Sequence, residues 1–171
     1  MKKVKKVNKE LLSRETVFEE DGCIKKITLG MAEKMIDAAL RWARNGGFEC
    51  SVAVLDASGT VIAVHRDNLM PETLEIAIDK AYTAAAMTAP TRMMAIMTSP
   101  MTAMGVGPDG HGTSLGFRHK LRWCTVNGGI PIRQAGTSMG MKVIGAIGTS
   151  GCPSGTDDNL CSQAGATSLY E

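Results

Sequence analysis

A chain of 171 residues is long enough for one domain with a real core and too short for two ordinary ones. Hydrophobic residues at 44% and charged residues at 21% exclude a disordered or fibrous chain, and no run of 18 apolar residues offers a membrane-spanning helix. The net charge is +2, but Lys2, Lys3, Lys5, Lys6 and Lys9 against Glu10 give +4 locally, so the rest of the chain sums to −2; with aromatics at only 4%, neither a basic face nor a base-stacking platform exists and a nucleic-acid partner is not expected.

Residues 1–26 read as an N-terminal extension and 27–171 as the domain. The Lys run is a solvated tail or a contact for an anionic partner, and no apolar segment follows it to make a secretory signal. Thr28 reads as the N-cap of a helix over LGMAEKMIDAALRWARN, stopped by Gly46-Gly47. Met35, Ala39 and Trp42 form its apolar stripe, with Ile36, Leu40 and Ala43 beside it. Two β-branched runs then flank Ala57-Ser58-Gly59, a hairpin signal. The second run is apolar on both faces, which predicts helices on one side and a second subunit on the other.

From Pro71 the period is helical again, with Leu74, Ile78, Ala81 and Ala85 on one face and small residues that let another backbone approach. Pro90 ends this helix and Thr91 starts a shorter one. Residues 101–118 read as a long Gly-rich loop. LRWCTVNGG, IPIRQAG and MKVIGAIGTSG predict three strands, and Thr156 is read as the cap of a closing helix with Asp157 and Asp158 in its first turn. The expected fold is α+β, a five-stranded antiparallel sheet with flanking helices.

The polar group Glu75, Asp79, Lys80, Tyr82 and Thr83 on the central helix is the first candidate site. A carboxylate, an ammonium and a phenol near one helix suit proton transfer, with Asp79, Lys80 and Tyr82 as catalytic candidates, or the holding of an anion. A solvated or subunit-facing stripe is the plain alternative. Lys80 has no acidic residue three or four positions away, since Ile76, Ala77, Thr83 and Ala84 stand there. Its ammonium is therefore expected either to meet a bound anion beside Glu75 and Tyr82, or to snorkel to water. Among the histidines, His65 ends a strand and reads as structural, while His111 and His119 flank the Gly-rich loop. Met87, Met93, Met94, Met97, Met101 and Met104 make either a flexible thioether surface or ordinary core. Five cysteines without a CxxC pair point to unbridged thiols in the cytoplasm. GAIGTSG is not a dinucleotide fingerprint; its glycines serve close packing.

Four segments together resemble a known family. SVAVLDASGTVIAVHR, IAIDKAYTAAAMTAPT, NGGIPIR, and VIGAIGTSG followed by Asp157, Asp158 and Ala164-Gly165 make Leu29–Gly165 similar to the GlcG/HbpS-like domain, also found at the C-terminus of PduO-type proteins. The resemblance implies a profilin- or roadblock-like fold, a homo-oligomer, and a small-ligand-binding function like that of the haem-binding, redox-linked members. Haem is then the expected cofactor, with His111 and His119 as candidate iron ligands and Glu75, Lys80, Tyr82 and Thr83 as further ligand contacts. The alternatives are a cofactor-independent lyase or isomerase of a small diol-derived or oxo-acid metabolite, and an accessory subunit of a diol or cobalamin enzyme system. No membrane association is expected.

Overall fold

The computed structural model describes residue 24 and residues 26–97, 122–134 and 142–171, apart from the side chains of residues 95–97. The chain runs α1 (Leu29–Asn45), β1 (Ser51–Asp56), β2 (Val61–Arg66), α2 (Pro71–Met87), α3 (Thr91–Met97), β3 (Gly129–Arg133), β4 (Val143–Ser150) and α4 (Gly155–Ser168). Among the described residues no helix is long and apolar enough to cross a membrane.

Local sequence signals mark the starts of three of these helices. Thr28 Oγ1 accepts the Met31 amide, as expected for an N-cap. Pro71 opens α2, where its missing N–H costs nothing. α4 is capped by Ser154 rather than by Thr156: the Ser154 hydroxyl accepts the Asp157 amide, and Thr156 is already inside the helix.

Among the described residues the sheet has four antiparallel strands in the order β2-β1-β4-β3, one fewer than the sequence predicts. Residues 122–128 of LRWCTVNGG form no strand, because their polar backbone is satisfied elsewhere. The buried Thr83 hydroxyl of α2 accepts the Cys124 amide and donates to the Arg122 carbonyl, which occupies groups a ladder would need. Arg122 at φ 73° and Gly128 at φ 120° break the extended backbone at either end. Pro131 stands in β3, which is tolerable because β3 is an edge strand.

Val61 and Val64 of edge strand β2 stay exposed, and elsewhere the sheet is covered by this chain's own helices, α2 on one face and α1 and α4 on the other. Their side holds Met35, Ile36, Ala39, Leu40, Ala43, Val52, Val54 and Ile147, a core of large aliphatic side chains. The α2 side holds Ala53, Leu55, Ala77, Ala81, Ala84, Ala85 and Ala146. This thin layer brings backbones together: a Cβ on Gly148 would lie 2.1 Å from the Ala77 carbonyl oxygen. The packing role expected for the GAIGTSG glycines is thus realised at Gly148 in the β4–α2 contact, and at Gly145 against Ile27 and the β1 backbone.

Candidate functional site

α2 carries the predicted polar residues, but helical geometry divides them. Residues 75 and 82 are seven apart and share a side, whereas residue 80 is turned about 140° from residue 75 at 100° per residue. Lys80 points into the protein and is 1% exposed, while Glu75 is exposed and Tyr82 half-buried.

The Lys80 ammonium lies 2.7 Å from Asp158 Oδ2 in the first turn of α4 and donates to the Thr149 carbonyl at 2.9 Å. The other oxygen of Asp158 accepts the Cys152 amide at 3.0 Å. Ser162 donates to the Gly128 carbonyl at 2.7 Å and lies 2.7 Å from Thr149 Oγ1. Gly128 is required here, since a side chain at its φ of 120° would strain the backbone and its Cβ would stand 3.1 Å from Lys80 Nζ. The network ties α2, β4 and α4 together at one end of the sheet. Burial raises the Asp158 carboxyl above its ordinary range, and the Lys80 ammonium pulls against that rise.

On the opposite side of α2, Arg122 closes a second cluster. Its guanidinium carbon sits 4.6 Å from the Tyr82 ring centroid, and its Nε lies 3.7 Å from Asp79 Oδ1. Both charged side chains are over a third exposed, so the pair itself contributes little and the stacking on Tyr82 about 0.5–1 kcal/mol. Burial raises the Asp79 carboxyl, and Arg122 opposes the rise. Gly59 of the β1–β2 turn supports the ring from beneath, where a Cβ would come within 2.6 Å of it.

A family model described as haem degrading protein HbpS-like matches residues 27–167. The chain belongs to the HbpS-like family. Solved structures share its fold. A double mutant of Streptomyces reticuli HbpS is 29% identical with a TM-score of 0.67, the match covering 83% of this chain and 86% of that one. The Klebsiella pneumoniae protein ORFY is 22% identical with a TM-score of 0.70 over 90% of this chain and 97% of that one. A PduOC structure described as a haem complex is 23% identical with a TM-score of 0.67, over 84% and 94%. A comparison with curated proteins gives no match.

In this HbpS-like domain the expected single site of Glu75, Lys80 and Tyr82 is therefore two places. Lys80 does lack a partner within its own helix, but its anion is Asp158, 78 residues away in the chain. Tyr82, Asp79 and Glu75 stay on the outer side, and Thr83 anchors the Arg122–Cys124 segment instead of facing a ligand. His111 and His119 lie outside the described residues. His65 bonds Asp67 at 2.8 Å, and the other Asp67 oxygen accepts the Cys50 amide, a clamp that agrees with its structural reading. Met94 is core at 1% exposure and Met93 is 52% exposed, while the side chain of Met97 and residues Met101 and Met104 lie outside the described residues. Arg122 was not signalled by the sequence, since its left-handed backbone is what turns it over Tyr82. Asp158 was legible as a helix-dipole residue but not as the partner of Lys80.

Proposed function

We propose that this chain is a homo-oligomeric, cytoplasmic haem-binding protein whose ligand lies over the outer side of α2. The observation that carries the reading, beside family membership, is Arg122. It is a half-exposed cation stacked on an aromatic ring where residues 98–121 rejoin the described fold. A guanidinium suits the carboxylate of a haem propionate, and Tyr82 offers an apolar ring with a polar tip. Asp79 holds the guanidinium, and Thr83 fixes the backbone that presents it. Lys80 does not fit this role, because it is buried and already paired. The iron ligand falls to His111 or His119, the latter three residues before Arg122 in sequence. Bound haem would supply redox chemistry at its iron. Val61 and Val64, 41% and 43% exposed on edge strand β2, support a second copy of the chain as partner.

Titration with haem tests this. Wild type should give a specific Soret shift at one haem per chain, His111→Ala or His119→Ala should change its position, and Arg122→Met should weaken binding by about tenfold, or roughly 1.4 kcal/mol. No specific shift in wild type would end the haem reading. One observation favours a proton-transfer enzyme instead: the Asp79 carboxyl, raised by burial, lies with Tyr82 beside Arg122. Turnover of a small oxo acid, lost in Asp79→Asn without any haem binding in wild type, would establish that reading.

A further inference from the structure

Antiparallel pairing brings together cysteines that are far apart in sequence. β1 and β4 pair with Ser51 opposite Ser150, so Cys50 and Cys152 leave the same end of neighbouring strands. Cys161 comes up from α4, beneath that end. The three sulfurs lie within 4.8 Å of one another, with Cys50 Sγ and Cys161 Sγ 3.9 Å apart. Cys50 and Cys161 are fully buried, and Cys152 is half-buried, which gives the cluster one side open to solvent. An ion bound to three sulfurs in a plane at about 2.3 Å holds them roughly 4.0 Å apart. The separations found here need only small shifts to reach that value.

We propose that Cys50, Cys152 and Cys161 form a three-coordinate, all-sulfur site for a soft monovalent cation of the Cu(I) class. Soft thiolate ligands select such ions, and among the described residues no carboxylate or imidazole joins the cluster to provide the fourth ligand that tetrahedral zinc prefers. The carboxylates nearest the cluster are already engaged: Asp158 with Lys80, and Asp67 with His65 and Arg44. The negative charge that builds up on the sulfurs is thus not added to free carboxylates. Without an ion the three side chains are thiols, as cysteine is at neutral pH. Binding is therefore an exchange in which one cation enters, three S–H bonds break, three metal–sulfur bonds form and three protons leave to water, with no change of oxidation state. The site is independent of the haem reading, since it lies among α1, β1 and α4 rather than on α2.

The test uses the full-length chain, kept anaerobic and freed of reductant, titrated with Cu(I) from a chelator-buffered solution. One ion per chain by native mass spectrometry, thiolate-to-metal charge-transfer absorption and proton release into weakly buffered solution are expected. Cys152→Ser, at the half-buried position, should keep the wild-type circular dichroism and weaken binding at least about tenfold. Cys23→Ser and Cys124→Ser should leave it unchanged. Failure to take up Cu(I), binding undiminished in Cys152→Ser, or binding lost in Cys23→Ser or Cys124→Ser would each overturn the site. So would a wild-type mass two hydrogens short under these conditions with Cys50 and Cys161 joined in the peptide map, which would show a disulfide instead.

Discussion

The two faces of the sheet are held by different physics. Towards α1 and α4 the core is volume: Met35, Ile36, Leu40, Val52, Val54 and Ile147 remove large apolar surfaces from water. Towards α2 the layer is mostly alanine, and the contact is backbone against backbone, with a buried ion pair at one end. A volume core gives way gradually when atoms are removed. A close-approach face has little to lose by deletion but no room for addition, and its buried charges demand each other.

The largest effect that would break this contrast is at the ion pair. Asp158→Ala leaves the Lys80 ammonium 1% exposed and without its carboxylate, and should cost about 3–5 kcal/mol in urea unfolding. The double variant Lys80→Met with Asp158→Leu removes both charges and should recover much of that loss. A single variant as stable as wild type would mean that the pair does not bind the α2 side together.

Neighbouring residues of β4 make the next comparison, because they face opposite sides. Gly148→Ala drives a methyl against the Ala77 carbonyl and should cost about 1–3 kcal/mol, although it adds a single carbon. Ile147→Val removes a single carbon on the other face and should cost about 0.5–1.5 kcal/mol. Calorimetry of both variants decides it; equal costs, or a larger one at Ile147, would dissolve the distinction.

The smallest effect concerns the charges at the two places. Burial pushes the Asp67 carboxyl up, but the His65 and Cys50 hydrogen bonds outweigh it and hold it below the ordinary aspartate value of 3.8. Its stabilising contribution is therefore present above that value and lost as pH falls through the folded-state value. Asp67→Asn should be less stable than wild type at neutral pH, and the gap should close in strong acid. Asp158 shifts the other way, so a gap that widened in acid would mean that Asp67 behaves like its buried counterpart.

What the sequence revealed divides along the same line. Periodicity, Thr28, Pro71 and the Ala57-Ser58-Gly59 turn place helices and hairpin near their observed bounds, because those signals are local. The predicted fifth strand fails because Thr83, about forty residues earlier, takes the hydrogen bonds of Arg122 and Cys124. The site was legible as a set of residues on α2 but not as an arrangement. Which of Glu75, Lys80 and Tyr82 turns inward depends on Asp158, and the meeting of Cys50, Cys152 and Cys161 depends on strand register.

That register also governs how the chain can be made. β1 is buried on both faces and pairs with β2 on one side and β4 on the other, yet β4 ends at Ser150. On the ribosome the β1–β2 hairpin emerges early, while its other edge waits for about a hundred further residues, roughly 5–20 s of synthesis. Throughout that interval a strand destined for burial on both faces presents an open row of amides and carbonyls, the kind of edge on which chains add to one another. A nascent chain of this protein thus needs shielding from the time β1 emerges until β4 arrives to pair with it.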